Sequence, residues 1–219
     1  SRAITHVRAE EFSDIRTYGA PEIVGEMMLF GKTPEQARTS PMLKLLGGGF
    51  YQSIDMVADS LGFRLDESKR ATHEIAVATK PIDSPIGPIQ PGHVAAQRFC
   101  WQGTVDGEPV VTAAVNWFMG DQNIEPLDDS DPSLTWSFGS GGERFEVGVT
   151  GDPDTLLTFK GWHPASIEEG LERNNGIVVT AMHCVSAIPH VCEADSGIKT
   201  YLDLPMIVGR AAPSLGLGV

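Results

Sequence analysis

Apolar and polar positions change period along this chain, and the changes divide it into a largely helical first third, a β middle and a helical end. Ile4 to Arg8 alternates in side-chain character and predicts a half-buried strand. Tyr18-Gly19-Ala20-Pro21 interrupts that pattern and places Pro21 in the first turn of a helix. Ile23, Val24, Met27, Met28 and Phe30 give this helix one apolar side to about Phe30, with Gly31 at the expected stop. Thr33-Pro34-Glu35 opens a short helical piece, and Met42 to Leu61 is a longer helical segment crossed by Gly47-Gly48-Gly49. Each glycine weakens a helix by roughly 1 kcal/mol relative to alanine, so a bend or a close backbone approach is expected there.

From Arg64 onward β-branched and aromatic residues dominate. Strands are predicted at His73 to Thr79, His93 to Val105, Val110 to Phe118, Arg144 to Thr150 and Thr155 to Phe159. Asp106-Gly107 suits a type I′ turn, which needs positive φ at both central residues, so the strands around it should pair antiparallel. Pro81 to Pro91 and Glu125 to Gly142 read as extended loops, candidate lids or interface arms. Asn174 to Cys192 returns to helical spacing through Ile177, Ala181, Val185, Ile188 and Cys192, with Val178 and Met182 widening the stripe. Pro189 is expected to end or kink this helix. The order predicts an α+β fold: a mostly antiparallel open sheet with helices packed on one face, then a C-terminal helix and tail. We read residues 1–219 as one domain, with a sheet-and-helix core over 1–173 and the helix and tail over 174–219.

Charge narrows the choice of partners. Sixteen Lys and Arg stand against 29 Asp and Glu, and a formal charge of -13 repels phosphate backbones and anionic lipid. Neither nucleic acid nor a membrane surface is expected as a partner. The longest apolar runs fall far short of the roughly 20 residues that cross a bilayer. Cys100, Cys184 and Cys192 are too few and too unevenly spaced for a disulfide framework, which fits a cytoplasmic compartment. Cys184 and Cys192 read as small buried apolar residues of the helix. The first residues have no charged n-region or apolar h-region, so no signal peptide is expected.

Three blocks carry a family resemblance: Glu143-Arg144-Phe145-Glu146-Val147 with Thr150-Gly151-Asp152-Pro153, Ala181 to Cys192 with Ser186-Ala187-Ile188-Pro189, and Gly197-Ile198 to Gly209-Arg210. They resemble the dihydrodipicolinate-reductase-like oxidoreductases, most closely the 2,4-diaminopentanoate dehydrogenase and native amine dehydrogenase branch. The resemblance implies an NAD(P)H-dependent hydride transfer on an amine, imine or carbonyl compound. It also implies a Rossmann domain that binds NAD(P), a second domain that forms the substrate pocket and homodimer contacts, and a last helix returning to the Rossmann domain. This chain corresponds to the second part. No G-x-G-x-x-G follows a strand and opens a helix, so the cofactor is expected on a domain absent here. The basic His-His-x-x-Lys and the Ser-Gly-Thr motifs of true dihydrodipicolinate reductases are also absent.

Candidate site residues remain mostly ordinary in type. His93, at the mouth of the proline-rich loop, can orient a carbonyl or imine or cap a neighbouring carbonyl. Arg98 can hold a substrate carboxylate or pair with a cross-strand acid, the latter being the plainer reading. Phe50, Tyr51, Trp101, Trp117 and Phe118 can line an aromatic pocket for a small-molecule substrate, though alternation puts Trp117 and Phe118 on opposite faces. The substrate-binding set is thus Phe50, Tyr51, His93, Arg98 and Trp117, with no catalytic residue assigned. His183 and His190 lack the partners of a metal site, and no nucleophile elbow is present. The competing reading is a freestanding, non-catalytic ligand-binding or self-associating module.

Overall fold

In the computed structural model, the described residues are 2–127, 129–159, 175–209 and 215. Asn174, the side chains of Ile177 and Val178, Arg210 and the expected boundary at residue 173 lie outside them. The chain divides into two compact units, Ser1–Gly161 and Trp162–Val219.

The first unit is built on seven strands: β1 (Arg2–Asp14), β2 (Arg70–Ala78), β3 (Val94–Val105), β4 (Glu108–Phe118), β5 (Ile124–Pro126), β6 (Arg144–Asp152) and β7 (Thr155–Phe159). They form one open sheet in the order β5-β2-β3-β4-β1-β6-β7. β1 runs parallel to β4; every other pair is antiparallel. The fold is α+β, as expected. The β3–β4 hairpin turns at Asp106 and Gly107, whose φ values of 52° and 82° are those of a type I′ turn. Asp66 steadies this turn: its carboxylate accepts the Asp106 and Gly107 N–H groups at 3.1 and 3.0 Å.

Helices cover one face of the sheet. Helix α1 (Pro34–Ala37) starts with a capping box between Thr33 and Gln36. Helix α2 (Met42–Leu61) packs on β2, β3 and β4. Its glycines do not interrupt it. Gly47 provides the close approach, since a Cβ there would lie 3.1 Å from the Trp101 indole nitrogen, whereas Gly48 and Gly49 face open space. The segment expected to be helical from Pro21 to Phe30 contains a turn of π-helix, Ile23–Met27, and buries Val24, Met28 and Phe30 in the same core. Gly31 ends it at φ +72°.

Two loops differ from expectation. Pro81 to Pro91 folds back on itself through an Ile82–Ile89 bridge that buries both isoleucines, so this loop is anchored. The Glu125 to Gly142 stretch begins within β5 and then lays Trp136 and Phe138 over Phe12, Ala76, Ala96 and Phe118 on the sheet face opposite α2.

In the second unit, α3 (Asn175–Glu193) continues past Pro189 to Glu193 rather than ending there. Met182, Val185, Ile188 and Val191 are all more than half exposed. Cys184 and Cys192 are exposed as well, which corrects the expectation that they are buried; Cys100, on β3, is the buried one. The tail returns to the helix where Tyr201 meets His183, ring centres 5.2 Å apart. Among the described residues, no helix is long and apolar enough to cross a membrane.

Candidate functional site

Register decides which side chains share a face. Glu11 lies opposite Val115 of β4 and Phe145 of β6, and the Val115 position is in turn opposite Phe99 of β3, so all four project to the side covered by α2. Glu10, Arg98, Asn116 and Glu146 project to the other side by the same alternation.

The predicted site residues are divided between these faces. Phe50 stacks on Trp101 under α2, ring centres 4.5 Å apart, and Trp101 donates its N–H to the Leu43 carbonyl at 3.1 Å. Tyr51 packs beside Gly47 and has the Lys69 ammonium 5.8 Å from its ring centre. Trp117 is buried edge-on to Phe99. Phe118 points the opposite way, against Phe138, as alternation requires. His93 precedes β3 and places Nδ1 3.3 Å from the Pro91 carbonyl, a local contact at the loop's end. Arg98 emerges on the far face. The structure therefore places Phe50 and Tyr51, both on α2, against the same core as Trp117, and leaves His93 and Arg98 apart from them.

Arg98 belongs to a buried charge network that spans four strands. Glu10 accepts from Arg8 and Arg98, and from Asn116 Nδ2 at 2.9 Å; Arg98 also donates to Asn116 Oδ1 at 2.9 Å. Glu146 extends the network by accepting from Arg144 at 2.6 Å and Arg8 at 3.3 Å. The Arg144 guanidinium also caps the Phe12 ring at 3.9 Å. Burial opposes the charge on Glu10, yet Arg98, Asn116 and Arg8 together outweigh it and hold the carboxyl below its ordinary range. Arg98 thus pairs with an acid, but one two strands away. Beside the network, His6, Arg8, Thr150, Asp154 and Leu156 line a cleft of about 350 Å3. His6 is held there by Thr112 at 2.9 Å, and burial with the nearby Arg8 lowers its pKa.

The helix-covered face has a different character where it extends beyond α2. Outward from β4, the positions on this side are Val7, Ala9 and Glu11 on β1, Phe145, Val147 and Val149 on β6, and Leu157 and Phe159 on β7. Ala9 is exposed, and Leu157 and Phe159 are 55% and 51% exposed. Glu11 is the carboxyl in this apolar wall. Ser13 Oγ donates to its Oε1 at 2.6 Å and Trp117 Nε1 at 3.2 Å. Burial pushes its pKa up against these two hydrogen bonds, and the neighbouring Glu143 adds to the rise. Sequence reasoning passed over Glu11 because its partners on β4 lie about a hundred residues away.

Neither glycine cluster suits a dinucleotide. Gly47 to Gly49 lie inside α2, and Gly139–Gly141 form a short 3-10 turn ahead of β6, so no strand-to-helix phosphate turn exists among the described residues. Among these residues no group of His, Cys, Asp and Glu side chains is placed to hold a metal ion.

Comparison with known proteins agrees with this architecture. The family model of the 2,4-diaminopentanoate dehydrogenase C-terminal domain matches residues 1–128. An amine dehydrogenase of Streptomyces virginiae is 29% identical over 208 residues, covering 93% of this chain and 54% of that protein. A 2,4-diaminopentanoate dehydrogenase of Acetoanaerobium sticklandii is 30% identical over 159 residues, covering 72% of this chain and 37% of that protein. The solved amine dehydrogenase of Mycobacterium smegmatis superposes with a TM-score of 0.58 over 96% of this chain and 54% of its own, at 18% identity, a likeness of fold. The chain spans about half or less of the length of these relatives. It belongs to the family of 2,4-diaminopentanoate dehydrogenase C-terminal domains.

Proposed function

We propose that this chain is the substrate-binding and dimerisation part of an NAD(P)H-dependent oxidoreductase acting on an amine, imine or carbonyl compound. The observation that carries the reading is the open apolar wall over β1, β6 and β7 with the Glu11, Ser13 and Trp117 cluster at its edge. A wall of this kind buries the hydrocarbon part of a small substrate, and a few convergent polar groups orient it. Nicotinamide supplies the hydride and binds to a Rossmann domain outside the described residues, because nothing here fits its pyrophosphate. Of the substrate contacts expected from the sequence, Phe50, Tyr51, His93, Arg98 and Trp117, Trp117 is part of the proposed site through its bond to Glu11.

Self-association is favoured by the uncharged edge strand β7, where Leu156, Leu157 and Phe159 are all more than half exposed. The apolar stripe of α3 suits the nucleotide domain as its partner. Three free cysteines fit a reducing compartment, the cytoplasm. The test is a steady-state assay of the parent protein with NADPH or NADH, ammonia and a panel of ketones, together with light scattering. Cofactor oxidation that requires both ketone and ammonia, from a dimer, is the expected result. A parent that binds no nicotinamide would overturn the enzyme reading in favour of a non-catalytic ligand-binding module.

A further inference from the structure

Two adjacent residues of β1 face opposite ways and are treated very differently by their surroundings. Glu10 receives two arginines and an asparagine on one side of the sheet. Glu11, on the other side, receives only neutral donors, Ser13 and Trp117, and both converge on the same oxygen, Oε1. Among the described residues no hydrogen bond reaches Oε2 and no cation pairs with Glu11. Its flanking positions across the sheet are Val115 and Phe145, with Phe159 beyond Phe145, and the adjoining rung, in line with Ala9, is Val147 with Leu157.

Such a carboxyl lacks the partner that would stabilise its charge. Burial in apolar surroundings disfavours the ionised form; the Ser13 and Trp117 hydrogen bonds offset part of that cost, and a cation that reaches the second oxygen offsets more. Ser13 and Trp117 meanwhile hold the group in one orientation through Oε1, so Oε2 can accept a donor without further ordering of the side chain. The wall beside it accommodates hydrocarbon: strands lie about 5 Å apart, so a chain laid across β6 towards β7 covers roughly 10 Å of Phe145, Val147 and Leu157.

We infer that Glu11 is the recognition carboxylate for a primary organic ammonium, one of whose three N–H donors reaches Oε2 while its alkyl tail lies along Phe145, Val147 and Leu157. That this cation is the enzyme's substrate or product rests on the function proposed above; the preference for an ammonium with an apolar tail rests on the geometry. A neutral alcohol of equal length places no charge against the carboxylate and binds more weakly.

The experiment uses the chain itself and the indole N–H resonance of Trp117, assigned with Trp117→Phe. Hexylammonium is titrated at pH 7.5 beside hexanol, with wild type and Glu11→Gln. The expected result is a saturable shift of the Trp117 resonance with hexylammonium, at least about tenfold weaker binding of hexanol, and a loss of about tenfold or more in hexylammonium affinity in Glu11→Gln. Equal responses to the ammonium and the alcohol in wild type overturn the inference, whether or not the variant folds. So does an unchanged affinity in a folded Glu11→Gln. A parent protein with no nicotinamide-linked turnover would remove the enzymatic role while leaving the ammonium site to be read from this titration.

Discussion

The Nε2 atom of His73 lies 2.9 Å from Oε1 of Gln97, and the orientation of that amide is imposed from its far side. Gln97 Nε2 donates to the Met28 carbonyl at 2.7 Å. A carbonyl only accepts, so the Gln97 oxygen must face His73, and the imidazole proton must sit on Nε2. The ring stacks on Phe99, centres 4.2 Å apart. Burial pushes its pKa down from 6.5 to about 4, the hydrogen bond to Gln97 opposing this and Arg38 adding slightly to it.

Acid therefore weakens the fold at His73. Between pH 6.5 and 4 the unfolded chain binds a proton that the folded ring does not, so stability is full above the upper value and falls with pH through this window. The shift corresponds to something on the order of 3 kcal/mol. Urea unfolding at pH 7, 5.5 and 4 should show this loss in wild type. His73→Gln, which keeps a donor for Gln97 and has no imidazole, should show a shallower slope, and parallel curves would refute the assignment.

Removing Glu10 should cost more than removing an ordinary surface acid. Glu10→Ala leaves Arg8, Arg98 and Asn116 without their shared acceptor, and loss of one side of a buried pair costs about 3 kcal/mol. Arg98→Met placed in the same chain should recover part of the loss. A double-mutant cycle by chemical denaturation should give a coupling of about 1–3 kcal/mol, and additive effects would show the network to be unimportant.

Glycines of the same core predict opposite signs. Gly48 and Gly49 face open space within α2, so alanine at either should stabilise by about 0.5–1 kcal/mol. At Gly103 an added Cβ would lie 2.7 Å from Ile54 Cγ2, a methyl of a buried, β-branched helix residue with little freedom to move. Gly103→Ala should destabilise by about 1–3 kcal/mol. Thermal unfolding of the three variants checks both signs.

The exposed stripe of α3 should matter for association and little for folding. Val185→Lys and Ile188→Lys together remove apolar surface from the centre of the Met182 to Val191 stripe. Binding of an apolar fluorescent dye should fall, with the unfolding midpoint of the isolated chain nearly unchanged. A large drop in that midpoint would mean that the stripe is packed within the chain.

Local pattern made most strands and the β3–β4 turn legible, because alternation, β-branched residues and Asp-Gly act over a few positions. β1 is where this failed. Alternation marks the strand from Ile4 to Arg8 and stops short of its second half, where Glu10, Glu11 and Asp14 depend on Arg98, Trp117 and Arg16. Arg98 was legible as half of an ion pair, but not with Glu10 as its partner 88 residues away. The glycine triplet shows the reverse limit: propensity leaves a bend and a close backbone approach both open, and packing at Gly47 against Trp101 is the close approach, within an unbroken helix. Family resemblance, read from blocks between residues 143 and 210, named the same family as the model that matches residues 1–128, and no single site residue did so.

The position of β1 has a kinetic consequence. Among the described residues, β1 is the strand that pairs with both the ribbon β5-β2-β3-β4 and the β6-β7 hairpin, each of which pairs strands that are closer in sequence than β1 is to either neighbour. Its partners are β4, more than a hundred residues on, and β6, later still. Loop closure over such distances is slow, so both ribbons can assemble before β1 finds its place between them. Cooperativity of the whole sheet then arises only at that last step, and of these seven strands the earliest in sequence is the one that waits longest.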